Sequence, residues 1–201
     1  SRCDVRVLET VPSTQDAARE AARAGAPDGT VVVAAAQTTG RGRLGRRWHS
    51  PRGGLYATVI LRPGVPIERW PSLTVLAGLV ESLLQSGVPD PRIRWPNDCW
   101  VHGRKLAGIL AEAEPADGFV LLGLGLNVDL GSGPVPGEIA PIICDLATLL
   151  PRDADLGAVC ADAVASVVDE IHRALPSLAV DGERVGRVLW TAGVTRVGDV
   201  T

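Results

Sequence analysis

Residues 40–48 read GRGRLGRRW. The first six match the glycine spacing G-x-G-x-x-G, and four arginines fall within the nine positions. That spacing marks a dinucleotide-binding turn only when a strand precedes it and a helix follows at once. A strand is available, because residues 30–36, TVVVAAA, form a short apolar run suited to burial. The helix is not. After Gly45 comes RRWHSPRGG, in which Pro51 and Gly53-Gly54 break any helix, and the next apolar run, LYATVIL at 55–61, reads as another strand. No acidic residue ends a second strand about twenty positions on, where a ribose contact belongs. The stretch is therefore a loop between strands, and a doubly wound nucleotide fold is excluded.

Working outward, Ser13 with Asp16 resembles a capping box, and the alanine-rich run behind it stops at Gly25, which predicts a helix over about 14–24. Residues 71–86 carry Pro at the start and Gly87 just past the end, the punctuation of a second helix. RIRW (92–95), CWVH (99–102), KLAGILAEAE (105–114) and FVLLGLGLNV (119–128) are separated by turn signals and predict an antiparallel meander. Residues 129–143 read as a loop, 156–175 and about 177–190 as helices, and the tail 191–201 as strand-like. Consecutive strands without crossover helices give an α+β class: a mixed, largely antiparallel sheet with helices on one face.

The loop itself fits two chemistries. A nucleic-acid patch would use Arg41, Arg43, Arg46, Arg47 and Arg52 on phosphates, but the net charge is −3 and the chain has one Tyr and one Phe for stacking. A small phosphorylated ligand fits better. Glycines let backbone N–H groups approach it, arginines neutralise phosphate, and Trp48 offers a flat face. Of twenty basic residues nineteen are Arg, and Lys105 is the single Lys. A compact ammonium is not interchangeable with a planar guanidinium, so Lys105 either marks a position where a point charge is required or is a chance survival on a solvated face. The cysteines at 3, 99, 144 and 160 show neither C-x-x-C spacing nor a zinc pattern and read as reduced, buried thiols. His49, His102 and His172 form no triad or metal spacing, and Trp95 reads as core.

Five motifs then appear in order: STQD (13–16), QTTGRGRLGRRWHSP (37–51), RWPND (94–98), GRKLAGILAE (103–112) and GLGLNV (123–128). Together they resemble the catalytic domain of biotin protein ligases. The resemblance implies the fold shared with lipoate ligases and, distantly, class II aminoacyl-tRNA synthetases. It implies that biotin and MgATP give biotinyl-5′-AMP and pyrophosphate, after which a lysine of a biotin carboxyl carrier protein domain attacks the adenylate.

Position by position, the resemblance puts Ser13, Thr14 and Gln15 beside the biotin head group, with Gln37 on its ureido ring. Gln15 stands where relatives often carry Asn. Arg41, Gly42 and Arg43 belong to the loop closing over carboxylate and phosphate, Gly108 and Ile109 line the biotin tail, and Lys105 serves both ligands. Arg41, Arg43, Arg46, Trp48, Lys105 and Asn127 fall to the adenylate. Lys105, Arg43 and Asp98 are the catalytic set. No side-chain metal cluster is expected, Asn127 lying near any Mg2+.

The resemblance also implies a cytoplasmic enzyme with no membrane or DNA partner and with homodimerisation as an option. It further implies that residues 1–190 form the catalytic domain, with no N-terminal DNA-binding domain, and that 191–201 mark the start of a small C-terminal β-barrel otherwise absent or truncated. Competing readings are a lipoate ligase or octanoyl transferase on the same fold, an inactive biotin-binding module, and an RNA-binding protein.

Overall fold

A computed structural model describes residues 4–62, 72–132 and 134–174. Its strands are β1 (Val5–Val11), β2 (Val31–Gln37), β3 (Gly54–Leu61), β4 (Arg92–Arg94), β5 (Asp98–Val101), β6 (Arg104–Glu114) and β7 (Phe119–Asn127). Its helices are α1 (Thr14–Arg23), α2 (Ser72–Gln85), α3 (Leu146–Leu149) and α4 (Leu156–Ala174). The chain divides into two compact units, one drawn from 1–70 with 109–136, the other from 71–108 with 137–201. β6 runs through both.

In the first unit the strand order is β1-β2-β3-β7-β6. β1 and β2 are parallel, while β2–β3 and β3–β7 are antiparallel. α1 forms where the sequence predicts it. Ser13 caps it, its Oγ accepting from the Gln15 N–H at 3.3 Å. At the other end Gly25 takes φ +89°, and Ala26 N–H reaches back to the Ala21 carbonyl at 2.9 Å, closing the helix as glycine at that position allows. The inward face of α1 is alanine. Ala18 and Ala22 let the helix lie close on Val32, Ile60, Phe119 and Leu121, all buried. In the second unit β4, β5 and the start of β6 pair antiparallel, and α2 packs on α4 and on β4 and β5.

The α+β class with a mixed seven-stranded sheet is as expected. β1 was not foreseen. VRVLETV does alternate, but β1 is a sheet edge with Val5 and Val7 54% and 76% exposed, so its apolar residues announce no buried face. The 129–143 loop contains two single 3-10 turns, and α3, capped by Asp145, follows it. Trp95 corrects another expectation. β4 stops at Arg94, and Trp95 is 47% exposed rather than core. The helix expected near 177–190 and the tail 191–201 lie outside the described residues.

Leu121 is fully buried against α1 and Val7 faces solvent. Leu121→Ala should therefore cost about 2–5 kcal/mol in denaturant unfolding, whereas Val7→Ala should stay within about 0.5 kcal/mol.

Candidate active site

A line of side-chain hydrogen bonds begins under the first turn of α1. Thr58 Oγ1 on β3 donates to Thr14 Oγ1 at 2.9 Å. Thr14 donates to Gln37 Oε1 from its backbone N–H (2.8 Å) and its hydroxyl (3.2 Å). Gln37 Nε2 donates to Ser50 Oγ at 2.9 Å, and Ser50 Oγ to the Trp48 carbonyl at 3.1 Å. Gln15 lies beside this line, 3% exposed. Its Nε2 donates to the Leu110 carbonyl at 3.0 Å, and its Oε1, fully buried, accepts no hydrogen bond from the protein. Leaving a buried acceptor unpaired costs about 1–3 kcal/mol. The space Gln15 occupies exists because β7 carries glycine there, since a Cβ on Gly123 would stand 2.9 Å from Gln15 Nε2. Ser13, Thr14, Gln15 and Gln37 are thus brought together. Ser50, Thr58, Gly123 and the Leu110 carbonyl join them without having been singled out from sequence, although Thr58 is the one threonine in a largely apolar strand.

The arginine–glycine loop rises from the same place. Gly40 is pressed against it: a Cβ there would sit 2.5 Å from Ser50 Oγ and 2.7 Å from the Trp48 carbonyl. Trp48 N–H donates to the Gly40 carbonyl (2.9 Å), Gly42 N–H to the Arg46 carbonyl (2.7 Å), and Arg41 bridges Arg47, so the loop is a small hairpin. Its tip needs left-handed backbone at Leu44 (φ 57°) and Gly45 (φ +73°), and Leu44 is 86% exposed. The Trp48 indole lies on β7, where a Cβ on Gly125 would meet ring atoms at 2.6–2.8 Å. Gly40, Gly45 and Gly125 are each required, for contact, for φ and for the indole. Asn127, at the end of the same strand and on the same face, is buried.

The arginines of the loop have different fates. Arg41 forks onto Asp16, Nη1 to Oδ2 at 2.7 Å and Nη2 to Oδ1 at 2.8 Å, and its Nη2 lies 3.6 Å from Glu112. Arg19 joins them, 2.9 Å from Asp16, 2.6 Å from Glu112 and 2.6 Å from Glu114. Arg47 donates to the Thr38 carbonyl, and Arg52 pairs with Glu9. Arg43 and Arg46 point outward, making no ion pair among the described residues. The Arg41 guanidinium, aided by Arg19 and opposed by partial burial, holds the Asp16 carboxyl below the usual carboxylate range.

In the second unit Lys105 Nζ lies 2.7 Å from Asp98 Oδ1. A β-bulge produces this pair. Asp98 pairs with Gly108 and Cys99 with Ala107, but Trp100 pairs with Lys105, so Leu106 is the extra residue. In a regular ladder Lys105 would project from the opposite face to Asp98; the bulge turns it onto the same one. The Lys105 carbonyl also accepts from Cys144 N–H at 3.0 Å, fixing its backbone from the other side. Arg94 stacks on Trp100, 4.1 Å from the ring centroid. Gly108 is buried, and Ile109 is a core side chain at 2% exposure.

Burial pushes Cys99 up to about 12 and Cys144 and Cys160 up to about 11, which keeps them protonated and inert, as the reading of reduced thiols expects. Cys3 lies outside the described residues. Among the described residues no cluster of His, Cys, Asp and Glu could hold a metal ion.

Residues 7–129 match the model of the biotin/lipoate A/B protein ligase family. The bifunctional ligase/repressor BirA of Bacillus spizizenii is 40% identical over 144 residues, 69% of this chain and 44% of its own. The biotin–[acetyl-CoA-carboxylase] ligase of Mycobacterium tuberculosis is 38% identical over 166 residues, 78% of this chain and 56% of its own. The chain spans about half the length of these curated relatives. Among solved structures, the biotin protein ligase from Aquifex aeolicus in complex with biotin and ATP superposes with a TM-score of 0.71 and 27% identity, over 87% of this chain and 72% of that one. The Leishmania major biotin protein ligase in complex with biotinyl-5-AMP gives 0.67 and 25%, over 86% and 76%. A likeness in fold alone extends to a lipoate protein ligase homologue from T. acidophilum, at 12% identity and TM-score 0.60.

The lowered Asp16 pKa sets a pH dependence. The ionised pair stabilises the fold above the ordinary carboxylate range and is lost as pH falls through the lowered value. Because both partners are more than a third exposed, or close to it, the contribution is at most about 1 kcal/mol. Thermal melting should show Asp16→Asn below wild type at pH 7, with the gap closing below about pH 4.

Proposed function

The chain belongs to the biotin/lipoate A/B protein ligase family, and on that premise we propose that residues 1–190 are the catalytic part of a biotin–[biotin carboxyl-carrier protein] ligase. The observation that carries the choice of biotin is the buried, unsatisfied Oε1 of Gln15 beside Thr14 and Gln37. A ureido ring offers N–H donors at its rim, and one of them would satisfy that acceptor; the dithiolane of lipoate offers none.

In the first half-reaction a biotin carboxylate oxygen bonds the α-phosphorus of ATP, the bond to the β-phosphate breaks, and pyrophosphate leaves. Two anions must meet, so preorganised cations set the barrier. Arg43 serves as a phosphate fork, since Arg41 is already engaged by Asp16. Lys105 is assigned the point charge shared by carboxylate and α-phosphate, where the width of a guanidinium would displace one of them. Asp98 orients the Lys105 ammonium, 2.7 Å from its Nζ. Trp48 is assigned to the adenine side and Asn127 to the neighbourhood of the phosphates. Asn127 supplies an amide oxygen but no charge, so magnesium belongs to the substrate as MgATP rather than to a protein cage. In the second half-reaction the carrier lysine amine attacks the acyl carbon, AMP departs, and the amine loses a proton.

The RNA-binding alternative loses ground, since three of its five arginines are engaged within the protein. Relatives include proteins named as ligase/repressors. No helix among the described residues is long and apolar enough to cross a membrane.

Biotin at about 100 times its Kd should stabilise the chain by about 2.7 kcal/mol in a thermal-shift assay while lipoate leaves the midpoint unmoved; the reverse would favour a lipoate enzyme. With biotin and MgATP, Lys105→Arg should fold normally yet lose pyrophosphate release by about 100-fold or more. Wild-type release from that variant would sink the role given to Lys105. Biotin binding by the unaltered chain with no pyrophosphate at all would leave an inactive binding module.

A further inference from the structure

We propose that Asp16 is a positioning residue for the arginine–glycine loop, fixing Arg41 to the first turn of α1 so that the loop can move only beyond Arg41. The coupling of this clamp to biotin rests on the reading of the cradle given above; the clamp itself does not.

Three observations carry the inference. First, the contact is a two-point fork rather than a passing ion pair, with both terminal nitrogens of Arg41 on both oxygens of Asp16 at 2.7 and 2.8 Å. Arg19, Glu112 and Glu114 extend it into a network, the arrangement in which surface charges do hold geometry. Second, the far end of the loop is fixed as well, by Trp48 N–H on the Gly40 carbonyl and by the indole on Gly125. The stretch between the two fixed ends holds Arg43, Leu44, Gly45 and Arg46, all exposed. Third, clamp and cradle share their supports. On α1, Gln15 belongs to the cradle and Asp16 to the clamp. On β6, the Leu110 carbonyl holds Gln15, and Glu112, two positions on, faces Arg41. A ligand that tightens Gln15 therefore acts on both elements that hold Arg41. The clamp also assigns the charges, since Arg41 is spent on Asp16 while Arg43 and Arg46 are presented to an incoming phosphate.

The test is tryptic cleavage after Arg43, Arg46 and Arg47, read by mass spectrometry on the intact chain. It compares wild type, Asp16→Asn, Asp16→Glu, Arg41→Gln and the double variant Asp16→Asn/Arg41→Gln. Without ligand, Asp16→Asn and Arg41→Gln should each speed cleavage about three- to tenfold, with melting points within a few degrees of wild type. The double variant should be no faster than either single one, and Asp16→Glu should recover part of the protection. Biotin should slow cleavage of wild type but not of Asp16→Asn, while still raising the melting point of both. Wild-type cleavage in Asp16→Asn, or additive effects in the double variant, would overturn the clamp. If biotin leaves the wild-type melting point unmoved, the reading of the cradle falls, and the ligand-free comparison still decides the clamp.

Discussion

Polar groups buried between a helix and a sheet have to find partners, and that requirement organises the first unit. Thr14, Gln15 and Thr58 are almost completely buried. Thr58 and Thr14 start a line of hydrogen bonds that runs from the middle of β3, through the first turn of α1 and the end of β2, to the backbone at Trp48, with Gln15 beside it on the Leu110 carbonyl. The start of α1 is therefore not placed by its alanine face alone. It is also held by Gln37, the last residue of β2, and the loop that begins at Thr38 inherits that position. One acceptor is left over, on Gln15.

The arginine-rich loop looked from its composition like a concentrated positive charge. In the fold much of that charge is internal. Asp16, Glu112 and Glu114 surround Arg19 and Arg41, and a backbone carbonyl takes Arg47. A chain of net charge −3 thus carries this cluster with much of its charge already paired within the protein. The two arginines that remain outward, Arg43 and Arg46, sit on a loop whose ends are held in place.

How far the sequence could be read follows from the range of each interaction. α1 was legible because its capping serine and terminating glycine act within a few residues. β3, β6 and β7 were legible as apolar runs bounded by turn signals. β1 was missed because the outer edge of a sheet buries too little to mark its residues. Lys105 and Asp98 were picked out as a motif, but the bulge at Leu106 that puts them on one face depends on register between strands, which no local pattern reports. The Asp16–Arg41 fork joins positions 25 apart, and nothing in either residue's own surroundings names the other. Trp95 was misjudged because an indole in an apolar-looking stretch signals burial on average, and here the strand ends one residue earlier.

The bare face of β7 has an evolutionary consequence. Gly123 and Gly125 are empty where Gln15 and Trp48 lie, while the alternate residues Leu122, Leu124 and Leu126 fill the core on the other side. Gln15 ends in a flexible amide that can yield a little, so Gly123 can drift once a shorter residue stands at 15. Trp48 is a rigid ring over Gly125 and cannot yield. Any lineage that replaces this glycine must first have lost the tryptophan, and the order of those two steps is set by sterics rather than by selection on activity.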